Sequence, residues 1–315
     1  MKHFTSVKDA GNISQLVQDA LELKKNPLKY KHLGEGKTMG IIFLNPSLRT
    51  RLSTQKAAKN LGMEAMVMNF GGEGWNLETQ DGVIMNGNAQ EHIKDAAAVI
   101  GQYCDVIGIR SFPSFESKES DYSEKILNDF IKYAGKPIVS LESATRHPLQ
   151  SLADLITIEE LKTKARPKVV LTWAPHPRRL PQCVANSFSE WMNVSDVDFV
   201  ITHPKGYELA PEFVGNAPVE YDQNKAFEGA DFIYAKNWSA YNDYGAILSQ
   251  DEAWQITEDK MKLTNNGKFM HCLPVRRNVI VSDGVMDSPS SVVIQEAGNR
   301  EWSASAVLKH ILQGL

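Results

Sequence analysis

MGIIFLNPSLRTR, residues 39–51, holds an apolar run from Met39 to Leu44, a break at Asn45-Pro46, and the polar stretch Ser47-Leu48-Arg49-Thr50-Arg51. A short apolar run closed by a turn signal reads as a buried strand, and the segment after it reads as a helix over Arg51–Leu61. A strand that feeds a helix through a short loop is the repeating piece of a parallel α/β sheet. The same turn brings free backbone N–H groups, hydroxyls and two guanidinium groups to one helix N-terminus, which makes an anion cradle. Neither GxGxxG nor GxxxxGK[ST] occurs, which argues against a nucleotide-binding oxidoreductase of doubly wound fold and against a P-loop enzyme.

Outward from this stretch the same alternation continues. Further strands are expected at Glu64–Asn69, Val106–Arg110 and Pro137–Leu141, with helices at His92–Tyr103 and Tyr122–Tyr133. Pro148 opens a helix through Leu161, and KARPK ends it. A second series follows: strands at Lys168–Trp173, Val197–Thr202, Asp231–Ala235 and Lys268–Cys272, a final strand at Ser291–Ile294, and a helix from about Asn299 to Leu312. Its apolar positions Trp302, Ala306, Ile311 and Leu312 need a partner surface. The chain of 315 residues is long enough for two cores, burying roughly three-quarters of its unfolded surface. The fold class is therefore α/β, with two doubly wound parallel-sheet domains.

Composition narrows the function. Lys plus Arg number 34 against 38 Asp plus Glu, a formal charge of −4, so no global basic field exists to hold nucleic acid. Three cysteines, Cys104, Cys183 and Cys272, are widely spaced without a CxxC, which supports neither a disulfide framework nor a zinc site. A reducing, cytoplasmic setting is expected, with no membrane partner, because no apolar stretch approaches a membrane span.

Four more places carry polar chemistry at strand ends, where open α/β sheets bind their ligands. Arg110 ends a strand and precedes Ser111-Phe112. His147-Pro148-Leu149-Gln150 pairs two hydrogen-bonding side chains around a helix-start proline. His271-Cys272-Leu273-Pro274 ends an apolar strand, and Arg300 lies at the expected start of the last helix.

Taken together, Ser-x-Arg-Thr-Arg, a strand-end Arg, His-Pro-x-Gln and His-Cys-Leu-Pro, in this order, resemble the aspartate/ornithine carbamoyltransferase family over essentially the whole chain. The resemblance implies a carbamoyl-phosphate domain at 1–148, an amino-substrate domain at 149–295, and a last helix, 296–315, returning to the first domain. It implies a homotrimer with shared active sites and no metal or other cofactor. Ser47, Leu48, Arg49 and Thr50 would cradle the phosphate. Arg110, His147 and Gln150 would meet the carbamoyl carbonyl and amine, and Cys272, Leu273 and Arg300 would complete that pocket. Arg49, Thr50, Arg110, His147 and Cys272 would act in catalysis.

The amine is narrowed by departures from the family pattern. The Asp-x-x-x-Ser-Met-Gly segment of ornithine enzymes is replaced by Tyr234-Ala235-Lys236-Asn237-Trp238. The Arg that usually follows Cys-Leu-Pro is displaced into Val275-Arg276-Arg277-Asn278. Aspartate enzymes carry His-Pro-Leu-Pro where this chain has His271-Cys272-Leu273-Pro274. Gly74-Trp75, Ser111-Phe112, Trp173 to Arg178 and Ala235 to Trp238 resemble instead the branch that acts on N-acylated ornithine. There Glu142, His176 and Lys236 would contact the ornithine part, with Phe112 and Leu273 beside it and Trp75 reaching in from a neighbouring subunit. Acetyl-acting members carry an acidic residue where this chain has Gln90, and some carry a carboxylated Lys where it has Ile280. A neutral Gln90 removes a repulsion of about 1 to 4 kcal/mol at 4 Å from a succinyl carboxylate, and Arg178 can pair with that group. The expected amine is N-succinylornithine, with N-acetylornithine as the alternative. A non-catalytic phosphate-binding paralogue is the rival of another class.

Overall fold

The protein is described by a computed structural model covering residues 1–70 and 75–315. It forms two compact units, Met1–Leu149 with Arg300–Leu315, and Gln150–Asn299.

The first unit is built on β1 (Thr38–Phe43), β2 (Glu64–Asn69), β3 (Leu77–Glu78), β4 (Glu91–His92), β5 (Val106–Arg110) and β6 (Ile138–Glu142). Four strands form one parallel sheet in the order β2-β1-β5-β6, and β3 pairs with β4 apart from it. Helix Leu48–Asn60 follows β1, as the opening stretch requires, and its exposed and buried faces alternate so that Ala57 and Ala58 are fully buried. On one side of the sheet Ile42, Ile107 and Ile138 pack with Ile93, Ala97 and Phe130 from the helices Ile93–Tyr103 and Lys125–Tyr133. Gly101 permits this packing, because a Cβ there would sit 2.1 Å from the carbonyl oxygen of Ala134. The strand order reverses between β1 and β5, so their carboxyl ends, Phe43 and Arg110, flank a switch point of the kind where ligands bind.

The second unit contains β7 (Lys168–Trp173), β8 (Asp198–Thr202), β9 (Val219–Glu220), β10 (Phe232–Lys236) and β11 (Lys268–Met270). They form a five-stranded parallel sheet in the order β11-β10-β7-β8-β9. Val170, Ile233 and Phe269 of its strands pack with Phe227, Val281 and Val293. Its reversal lies between β7 and β10, whose carboxyl ends are Trp173 and Lys236.

Three expectations need correction. The single helix over Tyr122–Tyr133 is two helices, Lys118–Tyr122 and Lys125–Tyr133, broken at Glu124 with φ of 51°. The break has a tertiary cause: the Glu124 carboxylate accepts from Ser143 Oγ at 2.6 Å and Thr145 N at 2.8 Å, bonds a continuous helix would not offer. Ser291–Ile294 is not a strand. Ser291 makes one isolated bridge to Phe269, and a helix already begins at Val293 and runs to Leu312. Its burial follows a helical period, with Val293 and Glu296 inside and Ile294 77% exposed. Arg300 therefore lies in the interior of that helix rather than at its start.

The segment 300–315 belongs to the first unit. Ser303 Oγ donates to the Leu149 carbonyl at 2.6 Å, Lys309 Nζ lies 3.1 Å from Asp19 Oδ1, and Ala306, Ile311 and Leu312 are buried. Among the described residues no helix is long and apolar enough to cross a membrane, and no group of three or more His, Cys, Asp or Glu side chains could hold a metal. The three cysteines are buried free thiols.

Candidate active site

At the carboxyl end of β1, Ser47 caps the helix Leu48–Asn60 with its side chain accepting from Thr50 N. Its Oγ also donates to Thr50 Oγ1 at 3.0 Å, and Arg300 Nη2 donates to the same oxygen at 2.6 Å. Thr50 is buried, Arg300 is 7% exposed, and Leu48 is exposed. The helix N-terminus, two hydroxyls and Arg300 thus form one positive, hydrogen-bonding corner.

Beside it lies a buried charge cluster at the ends of β5 and β6. Arg110 Nη1 is paired with Glu142 Oε2, and Glu142 Oε2 lies 3.4 Å from His147 Nε2. The Arg110 guanidinium also sits 4.4 Å from the Phe112 ring centroid, and Asn45 Oδ1 accepts from Phe112 N at 2.6 Å. Burial lowers the pKa of His147 to about 3; Glu142 opposes that shift, while Arg300, Arg110 and Arg49 add to it. His147 is therefore neutral at physiological pH, with one ring N–H to donate. Glu124 explains the placement of His147, since its carboxylate binds the Ser143–Thr145 turn immediately before it.

In the second unit, Gln150 is fully buried and its Nε2 donates to Asp154 Oδ1 at 2.7 Å and Glu296 Oε1 at 3.3 Å. Glu296 Oε2 accepts from His271 N at 2.9 Å, which draws the chain away from the sheet after β11 ends at Met270. Cys272 is 8% exposed, and Leu273 is held at φ of 53°, its N–H donating to His271 Nδ1 at 2.8 Å. A branched-at-Cγ residue in the left-handed region is strained backbone of the kind that collects at working sites. Burial pushes the Tyr234 hydroxyl well above its ordinary pKa, with Asp154, Cys272 and Glu296 adding to the rise.

At the β7–β10 switch point of the same unit, His176 is engaged through both ring nitrogens. Arg276 Nε donates to His176 Nε2 at 3.0 Å, and His176 Nδ1 lies 2.8 Å from the Arg178 carbonyl. A guanidinium only donates, so Nε2 accepts from Arg276, while Nδ1 faces both the Arg178 carbonyl and the Arg178 N–H, the latter at 3.0 Å. Burial is the main cause that lowers the pKa of His176, and Lys236, Arg276 and Arg178 push the same way. Lys236 is 9% exposed, whereas Arg178 is exposed.

Trp75 and Gln90 lie apart from these clusters in local hydrogen-bonding terms. Trp75 is 53% exposed and its Nε1 donates to Glu91 Oε2 at 2.9 Å; Gln90 is exposed and its Oε1 accepts from Asn76 N at 3.1 Å. Gly74 lies outside the described residues.

Residues 2–160 match the carbamoyl-P binding domain of the aspartate/ornithine carbamoyltransferases, and residues 181–311 match the Asp/Orn binding domain of that family. The chain belongs to the aspartate/ornithine carbamoyltransferase family. Among its relatives, the N-succinylornithine carbamoyltransferase of Bacteroides thetaiotaomicron is 62% identical over the full length of both chains. The N-acetylornithine carbamoyltransferase of Xanthomonas campestris pv. campestris is 36% identical over 98% of this chain and 97% of that protein. A crystal structure of an N-acetyl-L-ornithine transcarbamylase variant, with a glutamate changed to alanine, holds carbamyl phosphate and N-succinyl-L-norvaline. It is 35% identical and superposes with a TM-score of 0.91 over 99% of this chain and all of that one.

Within this family frame, the first unit brings together Ser47, Thr50 and Arg300, and, around His147, Arg49, Arg110, Glu142 and Arg300. Glu142, expected from the resemblance beside the ornithine part, is paired with Arg110 and lies 3.4 Å from His147, the two residues expected on the carbamoyl carbonyl. The second unit gathers His176 and Lys236 with Arg178. Asp154, Glu296, Arg276, Glu124 and Asn45 were not among the expected site residues. Asp154 had a readable signal, standing one helical turn after Gln150; the others act through side chains distant in sequence.

Proposed function

We propose that this chain transfers the carbamoyl group of carbamoyl phosphate to the δ-amine of N-succinyl-L-ornithine, releasing N-succinyl-L-citrulline and phosphate. One observation carries the reaction class: Arg49, Arg110 and Arg300 converge electrostatically on the buried, neutral His147 with Glu142 as the carboxylate paired there. Beside it, Thr50 and the capped helix N-terminus complete a receptor for a small dianion. Full-length identity of 62% to an N-succinylornithine enzyme supports the acyl group.

Positioning and charge do the chemistry in this reading. The δ-amine resembles lysine, so deprotonating it at pH 7 costs on the order of 4 to 5 kcal/mol, a cost that neighbouring cations reduce. The amine attacks the carbonyl carbon while Thr50, Arg110 and neutral His147 hold the growing oxyanion, each donor worth roughly a hundred- to a thousandfold in rate. Phosphate leaves into the charge of Arg49 and Arg300 and collects the amine proton. Gln150, Cys272 and Leu273 meet the carbamoyl amine. His176, Lys236, Arg178 and Phe112 receive the acylated ornithine, and Gln90 leaves room for the second carboxylate. We place the enzyme in the cytoplasm, in arginine biosynthesis, as a homotrimer in which half-exposed Trp75 reaches a neighbouring site.

Turnover measured in parallel with N-succinylornithine, N-acetylornithine and ornithine tests the proposal. The succinyl compound is expected to be preferred. Preference for the acetyl compound would overturn the acyl assignment, and no citrulline product from any amine would leave a phosphate-binding protein without activity.

A further inference from the structure

We infer that Asp154 and Glu296 are positioning residues that set the polarity of the Gln150 carboxamide and of the 271–274 turn for recognition of the carbamoyl amine, an inference that rests on the carbamoyl-transfer reading above. Asp154 and Glu296 are 0% and 1% exposed, and neither is needed to touch substrate in that reading. Both accept from one nitrogen, Gln150 Nε2, at 2.7 and 3.3 Å.

A carboxamide has two donors on nitrogen and acceptor lone pairs only on oxygen. Two carboxylates that take both N–H groups leave a single orientation, because the flipped amide would set its oxygen against two acceptors. Gln150 Oε1 is then directed away from them. The amine of a carbamoyl group is a donor, its lone pair being delocalised into the carbonyl, so it needs an acceptor. Held as it is, Gln150 presents oxygen; released to flip, it would present N–H against N–H. Glu296 does a second task with its other oxygen, which accepts from His271 N at 2.9 Å and so fixes the start of the turn that carries Cys272 and the strained Leu273. One pair of carboxylates therefore sets both acceptor-bearing elements.

The experiment is a double-mutant cycle on the full-length enzyme. Asp154→Asn is isosteric but can present N–H to Gln150, and should lower kcat/KM for carbamoyl phosphate by ~10- to 100-fold. In a Gln150→Ala background the same change should cost less than about threefold, because the residue it orients is gone. Equal losses in both backgrounds would show a merely structural role and overturn the inference. Glu296→Gln gives a second cycle with the same expectation, so loss of fold in one variant leaves the other to decide. Binding supplies a readout apart from turnover. Phosphonoacetamide, which carries the amide, should bind Asp154→Asn more weakly than wild type by a similar factor, while inorganic phosphate binds both within about twofold. Parallel weakening of both ligands would also overturn it. Failure of the functional reading is a separate result, a wild-type enzyme that carbamoylates no amine.

Discussion

Arg300 Nη2 donates to Thr50 Oγ1 at 2.6 Å, joining two buried side chains 250 positions apart in the chain. The helix Val293–Leu312 is thereby part of the anion corner, since Arg300 projects from its middle rather than from an end. A dianion bound there meets a guanidinium already oriented by Thr50, so little side-chain entropy is lost on binding.

Arg300→Lys keeps the charge but loses the planar fork, and it should lower kcat/KM for carbamoyl phosphate by about ten- to a hundredfold with a small change in melting temperature. Arg49→Ala, which removes a cradle charge outright, should leave folding intact and cost activity well over tenfold through lost phosphate binding. Steady-state kinetics beside thermal melts checks both, and retained activity in Arg49→Ala would sink the cradle assignment.

His147 makes a prediction about stability. Burial holds its folded pKa at about 3, below the ordinary value of 6.5. Between those values the unfolded chain binds a proton that the folded chain refuses, so stability falls as pH drops from 6.5 toward 3. At pH 5 the loss from this one group is about 2 kcal/mol. Urea unfolding of the wild type and of His147→Gln at pH 7 and pH 5 isolates the effect, because the other titrating groups are common to both. The wild type should lose about 2 kcal/mol more than the variant; equal losses would mean that His147 is not held neutral by burial.

The turn proposed as the cradle was legible in its structure because its parts are contiguous: β1, its turn and the Ser47 cap lie within residues 38–51, and local periodicity and capping specify them. The same holds for Arg110 at the end of β5 and for His147 and Gln150 around Pro148. What periodicity missed depends on tertiary contact. Glu124 breaks a well-patterned helix because its carboxylate binds a turn some twenty residues later. Ser291–Ile294 reads as a strand from its β-branched run, yet a helix already starts at Val293 and carries Glu296 into its buried contacts with His271 and Gln150. The engagement of His176 by Arg276, a hundred positions away, has no local signal.

Acyl preference should respond to charge at position 90. Gln90 is exposed, with its side-chain oxygen accepting from Asn76 N, and Glu91 is taken by the Trp75 indole. Gln90→Glu places a carboxylate where a succinyl carboxylate is proposed to lie, a repulsion of about 1 to 4 kcal/mol at 4 Å depending on screening. The ratio of kcat/KM for N-succinylornithine over N-acetylornithine should fall accordingly, most at low ionic strength. A ratio unchanged by the substitution would place the acyl end elsewhere.

Arg276 orients the ring of His176 by donating to Nε2, and Nδ1 lies against the Arg178 backbone. Arg276→Ala frees the ring to turn, and it takes away one of the cations that help burial lower the pKa of His176. Recognition of the amino substrate should suffer while the anion corner of the first unit is untouched. The expected signature is a KM for N-succinylornithine raised about tenfold or more with a KM for carbamoyl phosphate within about twofold of wild type. Arg276→Lys restores charge but not the planar Nε–H donor, so it should recover only part of the loss. Full recovery by lysine would show that charge alone matters at this position and that the Nε–H bond orienting the His176 ring does not.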